Sequence, residues 1–173
     1  MRLSGFVVLA LGAFTLAAAP VAAQDGPAVE VTPYVAVGTA AASPVGVALT
    51  VPVTSTLSVE TDVAYRRGEG QLHAFSSSTS LLYSLPRAGR STPYVAAGVG
   101  LSQYGSPVFS FNGRPVGTQP RVAMTVNAGG GVKTPVNEKL DLRTDARWSK
   151  SLGAQGSEQF RVAQGLSFDV RKR

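Results

Sequence analysis

Beyond residue 28 the chain sorts apolar from polar residues at a period of two. In "KLDLRTDARW" (139–148), Asp141, Arg143, Asp145 and Arg147 take every second position, with Leu140, Leu142, Thr144, Ala146 and Trp148 between them. A helix brings residues three and four apart onto one face and cannot sort the chain this way. A strand can, because its successive side chains point to opposite sides. Eight segments share the pattern, at 29–38, 45–53, 57–66, 72–85, 93–104, 121–133, 139–148 and 160–170, with Gly and Pro punctuating the chain between them. The segment at 72–85 is the least regular, setting Phe75, Ser77, Thr79, Leu81, Tyr83 and Leu85 opposite a row of serines.

Several of these segments are roughly 9 to 12 residues long, about what a tilted strand needs to cross the apolar layer of a bilayer. The connectors alternate in size. "TST", "PRAGRST" and "TPVNE" follow the second, fourth and sixth segments, while "RGEGQ", "GSPVFSFNGRPVGTQP" and "SKSLGAQGSEQ" follow the third, fifth and seventh. Short turns at one end and longer loops at the other are the habit of an outer-membrane barrel. "TAAASP", after the first segment, is short for that habit.

Two architectures share such strands. A soluble secreted barrel or sandwich buries its Val and Leu face; an outer-membrane barrel turns that face to lipid and encloses the polar one. The polar face here is mostly Gly, Ala, Ser and Thr, the small residues that fill a narrow eight-stranded lumen. Its charges come in balancing signs: Glu30, Glu60, Asp62, Asp141, Asp145 and Asp169 against Arg66, Arg121, Lys133, Arg143, Arg147 and Arg161. Buried charges must pair, so this balance predicts a structural charge network inside the barrel. On the apolar face, Tyr65, Phe75, Trp148 and Phe160 fall near one end of their segments and Tyr83 and Phe168 near the other, as the aromatic girdles of a membrane barrel do. The expected fold is therefore an eight-stranded antiparallel transmembrane β-barrel.

The start of the chain fits export. "MRLSGFVVLALGAFTLAAAPVAA" has Arg2, an apolar run over 6–18, a break at Pro20 and small residues before Gln24, which predicts a cleavable signal peptide over 1–23 and a barrel domain over 24–173. No later stretch is apolar for the ~18 to 20 residues of a membrane helix. There is no cysteine, so stability rests on topology and packing rather than disulfides. The formal net charge of +6 comes from scattered residues, with Arg171, Lys172 and Arg173 the one basic cluster, and nucleic acid is not an expected partner.

With these features in hand, the chain resembles the small OmpA/OmpX-like outer-membrane β-barrel family. The likeness lies in "TPYVAAGVGLSQYG" (92–105), "NAGGGVKTPVNEKLDLRTDARW" (127–148) and the closing "GLSFDV" (165–170). It implies residence in the outer membrane of a Gram-negative-type cell, contact with outer-membrane lipid and lipopolysaccharide, and folding by the barrel-assembly machinery. It also implies that Gly165, Phe168 and Val170 form the assembly signal, although the family's chains end on an aromatic residue and here Arg171, Lys172 and Arg173 follow Val170.

Candidate chemistry is sparse. His73, the one histidine, could serve Ser76 or Ser77 as a base, as in the lipid A deacylase barrels; but those carry the nucleophile two residues after the histidine, where this chain has Phe75. Asp141 and Asp145 lie four apart, roughly 13 Å along a strand, too far to share one acid/base site. No Cys/His cluster or acidic loop suggests a metal, "AGGGV" lacks the lysine and helix of a phosphate loop, and no cofactor is expected. Val108, Phe109 and Phe111 place apolar side chains in the longest expected loop without naming a ligand. The expected role is non-enzymatic: envelope integrity, surface interaction, or at most a narrow, low-conductance path through a side-chain-filled lumen. The rival readings are a soluble secreted barrel holding a small apolar ligand and an outer-membrane lipid hydrolase using His73.

Overall fold

A computed structural model describes residues 29–39, 43–67, 73–112, 114–153 and 157–170, and within its strands leaves aside the side chains of His73, Tyr104, 106–111 and 114–120. The expected signal peptide, most of "RGEGQ" and the terminal Arg171, Lys172 and Arg173 lie outside these residues. Eight strands follow one another: β1 (Val29–Gly38), β2 (Val45–Pro52), β3 (Leu57–Arg67), β4 (His73–Ser84), β5 (Thr92–Phe111), β6 (Arg114–Asn137), β7 (Leu140–Leu152) and β8 (Glu158–Val170). Each pairs antiparallel with the next, and β8 returns to β1 with Val29 opposite Val170, so the sheet closes as a barrel with no free edge along its wall.

The two faces divide as the alternation predicts, and the division runs opposite to that of a soluble protein. In β1, Thr32, Tyr34 and Ala36 are buried while Pro33, Val35 and Val37 are exposed; in β7, Arg143, Asp145 and Arg147 are buried while Thr144 and Trp148 are exposed. Val37 is 62% exposed and Glu60 1%, so the apolar residues clothe the outside and the charges form the core. The few inward apolar side chains are mostly small, such as Ala36, Ala48, Ala64 and Ala163. On the outside, Thr61 and Thr79 face one another across β3 and β4 with their hydroxyls 3.3 Å apart, so neither polar group is left unpaired on the apolar face.

The expected difference in connector length is much reduced. Six, five, two and five residues separate consecutive strands at one end (39–44, 68–72, 112–113 and 153–157) and four, seven and two at the other (53–56, 85–91 and 138–139), because many of the expected loop residues belong to strands. The expected loop "GSPVFSFNGRPVGTQP" is the largest correction. It is the outer part of the β5–β6 hairpin, paired from Gly105 and Pro120 to Phe111 and Arg114 and turning at Asn112, whose φ is 51°. Asn followed by Gly is a strong tight-hairpin signal, since both tolerate positive φ. The prolines obscured it. β4 pairs with β5 only as far as Tyr104 and β7 with β6 only from Met124, so Pro107, Pro115 and Pro120 occupy stretches of strand with a neighbour on one side only, where proline is better tolerated than in a strand paired on both sides. Val108, Phe109 and Phe111 accordingly belong to a strand, not a loop.

Candidate functional site

The lumen is closed at mid-barrel by an ion network drawn from strands on opposite walls. Arg143 and Arg147, both on β7, donate to Glu60 on β3: Arg143 through Nη1 to Oε2 and Arg147 through Nη2 to Oε1. Both also hold Asp145, from Arg143 Nη2 at 3.0 Å and from Arg147 Nε at 3.2 Å. All four residues are buried, and their formal charges cancel. Glu60 is held at both of its oxygens, as a buried charge requires, whereas every bond to Asp145 falls on Oδ2 and its buried Oδ1 has no partner among the described residues.

Two tyrosines extend the network, and each requires a glycine beside it. The Tyr94 hydroxyl accepts from Arg143 Nε at 2.7 Å and donates to Asp145 at 3.2 Å, with the Arg143 guanidinium 4.9 Å from the ring centroid. The Tyr34 hydroxyl donates to Asp62 at 2.7 Å and accepts from Arg161 at 2.9 Å, with that guanidinium 5.1 Å from its ring. Arg161 also reaches Asp62 directly at 3.1 Å. Tyr34 lies opposite Gly46 and Gly165 on its two neighbours, and Tyr94 opposite Gly131. A Cβ on Gly46 would stand 2.5 Å from the Tyr34 ring, and one on Gly131 2.5 Å from the Tyr94 hydroxyl, so these glycines are the space the rings occupy.

Short polar side chains complete the plug. Thr50 donates to Glu60 at 3.1 Å, Ser78 donates to Asp62, Ser80 donates to Asn127 Oδ1 at 3.0 Å, and the hydroxyls of Thr32 and Ser167 bridge β1 and β8 at 2.7 Å. Beneath Asp62 and Arg161 remains a space of about 10 Å³, room for at most one water. Toward the loop end the lumen widens into a cavity of about 340 Å³ whose lining includes Asp62, Arg147 and Arg161. Among the described residues no group of carboxylates and imidazoles is arranged to hold a metal.

The residues expected in the lumen thus fall into three groups. Glu60, Asp62, Arg143, Asp145, Arg147 and Arg161 meet in the central network. Glu30 and Lys133 form a separate pair toward the end that carries the termini. Arg66, Arg121, Asp141 and Asp169 stand outside these ion pairs among the described residues; Arg66 lines the wide cavity, Arg121 is exposed, and Asp141 and Asp169 are half-buried near the strand ends beside Glu30. Tyr34, Tyr94, Ser80 and Asn127 were not expected as network members. Their signal was their phase, since each falls on the polar face of its strand.

On the outside, the six aromatic residues expected as girdles are all exposed, from Trp148 at 38% to Tyr83 at 50%. Tyr65 lies opposite Phe75 across β3 and β4, and Trp148 opposite Phe160 across β7 and β8, all at the loop end; Tyr83 and Phe168 lie toward the other end. In the closing strand, Phe168 and Val170 point outward and Gly165 inward against Tyr34. The expected histidine chemistry cannot be built from the described residues, since the side chain of His73 is not among them; its backbone pairs with Arg67.

No protein-family model matches the chain, and no curated protein matches it. Solved structures do. The chain is similar to Neisserial surface protein A at 12% identity and a TM-score of 0.64, over 82% of this chain and 96% of that one. It is similar to the N-terminal β-barrel domain of Pseudomonas aeruginosa OprF at 19% identity and a TM-score of 0.59, over 84% and 100%. It is also similar to the outer membrane enzyme PagL at 16% identity and a TM-score of 0.51, over 82% and 99%. At such identities the likeness establishes the fold, that of the small OmpA/OmpX-like outer-membrane barrels, and a fold that also carries an enzyme does not assign an activity.

Proposed function

We propose that this chain is an integral outer-membrane barrel, non-enzymatic, whose lumen is plugged by side chains and whose role is envelope integrity or surface interaction. The observation that carries this reading is the inverted division of the barrel: buried Glu60, Asp145, Arg143 and Arg147 inside, exposed Val, Leu and aromatic residues outside. In water that outer face would be one continuous apolar surface, far larger than the few hundred Å² a soluble monomer tolerates. In a bilayer it is the favourable surface, and the closed sheet gives every strand a hydrogen-bonded neighbour on both sides within the barrel. A soluble barrel with an apolar ligand inside would need the opposite arrangement.

The plug speaks against open diffusion. An eight-stranded barrel leaves little lumen to begin with, and here the middle is spanned by guanidinium forks. The same reading takes 1–23 as a leader removed on export, lipid and lipopolysaccharide as the surroundings of the outward face, and Gly165, Phe168 and Val170 as the signal read by the barrel-assembly machinery. The test is fractionation of expressing cells with electrophoresis of heated and unheated samples. The protein is expected in the outer-membrane fraction, extractable only with detergent, with faster mobility unheated than heated. Recovery in a periplasmic wash, with one mobility, would overturn the reading.

A further inference from the structure

The cavity of about 340 Å³ at the loop end of the lumen is not needed to close the barrel, since the network beneath it does that. We infer that it is a binding site for a small, hydroxyl-rich monoanion: a monosaccharide bearing one carboxylate, phosphate or sulfate. The proposal goes beyond the structural role given to the lumen above.

Charge selects the anion. Among the described residues, Arg66, Arg147 and Arg161 line the cavity against the single carboxylate of Asp62. Arg147 is held by Glu60 and Asp145, and Arg161 by Asp62, so their charges are answered from below. Arg66 has no ion-pair partner among the described residues, and so the wall keeps about one positive charge in excess. A guanidinium is a strong and planar receptor for an oxyanion.

Hydrogen-bonding capacity selects the hydroxyls. Asn127 lines the cavity and is 8% exposed; its Oδ1 accepts from Ser80, and its buried Nδ2 has no partner. A buried amide donor left unpaired is unfavourable, and an acceptor entering from the cavity would satisfy it. Around it, Ser76, Ser102, Thr125 and Ser149 line the same space, and none hydrogen-bonds through its side chain to another described residue. Each hydroxyl both donates and accepts, which is the complement of a sugar's own hydroxyls. The volume lies at the lower end of small-molecule sites, roughly 300 to 1,000 Å³, which limits the occupant to a single ring.

The test uses the full mature chain folded in detergent micelles or lipid nanodiscs, with ¹⁵N labelling. Glucuronate and glucose are titrated separately while the side-chain resonances of Asn127 (NH₂) and Arg66 (Nε–H) are followed. Saturable shifts of both with glucuronate, and at least tenfold weaker binding of glucose, are expected. Asn127→Ala and Arg66→Gln should each weaken glucuronate about tenfold, the worth of one good hydrogen bond to a charged ligand. Arg66 lies at the rim outside the plug, so Arg66→Gln remains informative should Asn127→Ala not fold. Absence of saturable shifts, equal binding of glucose and glucuronate, or unchanged affinity in Arg66→Gln would overturn the assignment.

Discussion

Replacing Arg143 by Met keeps most of the side-chain volume and removes the charge and every donor at once. Three bonds disappear: to Glu60, to Asp145 at 3.0 Å and to the Tyr94 hydroxyl at 2.7 Å. What matters more is what stays behind. Glu60 and Asp145 remain buried with Arg147 as their only shared cation, so one negative charge is left uncompensated in a site where Glu60 is 1% exposed. Breaking a buried pair in this way costs about 3 to 5 kcal/mol. The exposed pair Lys150 and Glu158, with side chains 46% and 56% accessible, is the control, and Lys150→Ala should cost no more than about 1 kcal/mol. Trp148, the one tryptophan, reports unfolding by its fluorescence in urea and lipid vesicles. With a slope of about 2 kcal/mol per molar urea, Arg143→Met should lower the midpoint by about 2 M, and adding Glu60→Gln should recover part of the loss because the residual charge is then balanced. A midpoint for Arg143→Met within error of Lys150→Ala would refute the claim that these charges are the core.

Three further outcomes follow from the same geometry. Tyr34→Phe removes the hydroxyl shared by Asp62 and Arg161 and should cost about 1 to 3 kcal/mol in the same urea assay. Gly131→Ala places a Cβ against the Thr144 carbonyl oxygen and 2.5 Å from the Tyr94 hydroxyl and should lower stability by about 1 to 3 kcal/mol, a loss that adding Tyr94→Phe should not restore because the backbone contact stays. Leu49→Arg, on the exposed face of β2, should destabilise the lipid-embedded barrel by about 2 to 4 kcal/mol, whereas on the surface of a water-soluble barrel it would be nearly neutral.

The strands and the inversion of the barrel were legible because alternation is a local property. A period of two survives in each segment by itself, and β1 runs over the residues the pattern predicts, 29–38. The charge partners were only partly legible. Balance of sign along the polar faces shows that pairing must occur, but Arg143 and Glu60 are 83 residues apart, and which carboxylate meets which guanidinium depends on stagger around the barrel. Tyr34 and Tyr94 were hidden for a different reason: a tyrosine on a small-residue face looks like an exception until the glycine opposite it is known. The β5–β6 hairpin was missed because proline was read as a loop marker, when a strand lacking a neighbour on one side also accommodates it.

The central claim is that the apolar face of the barrel meets lipid. Trp148 tests it most directly, being the chain's single tryptophan and standing outward beside Phe160 in the loop-end girdle. Its fluorescence should be quenched strongly in vesicles of lipids brominated near the head of the acyl chain and weakly by aqueous acrylamide. Strong acrylamide quenching with no response to brominated lipid would contradict the account.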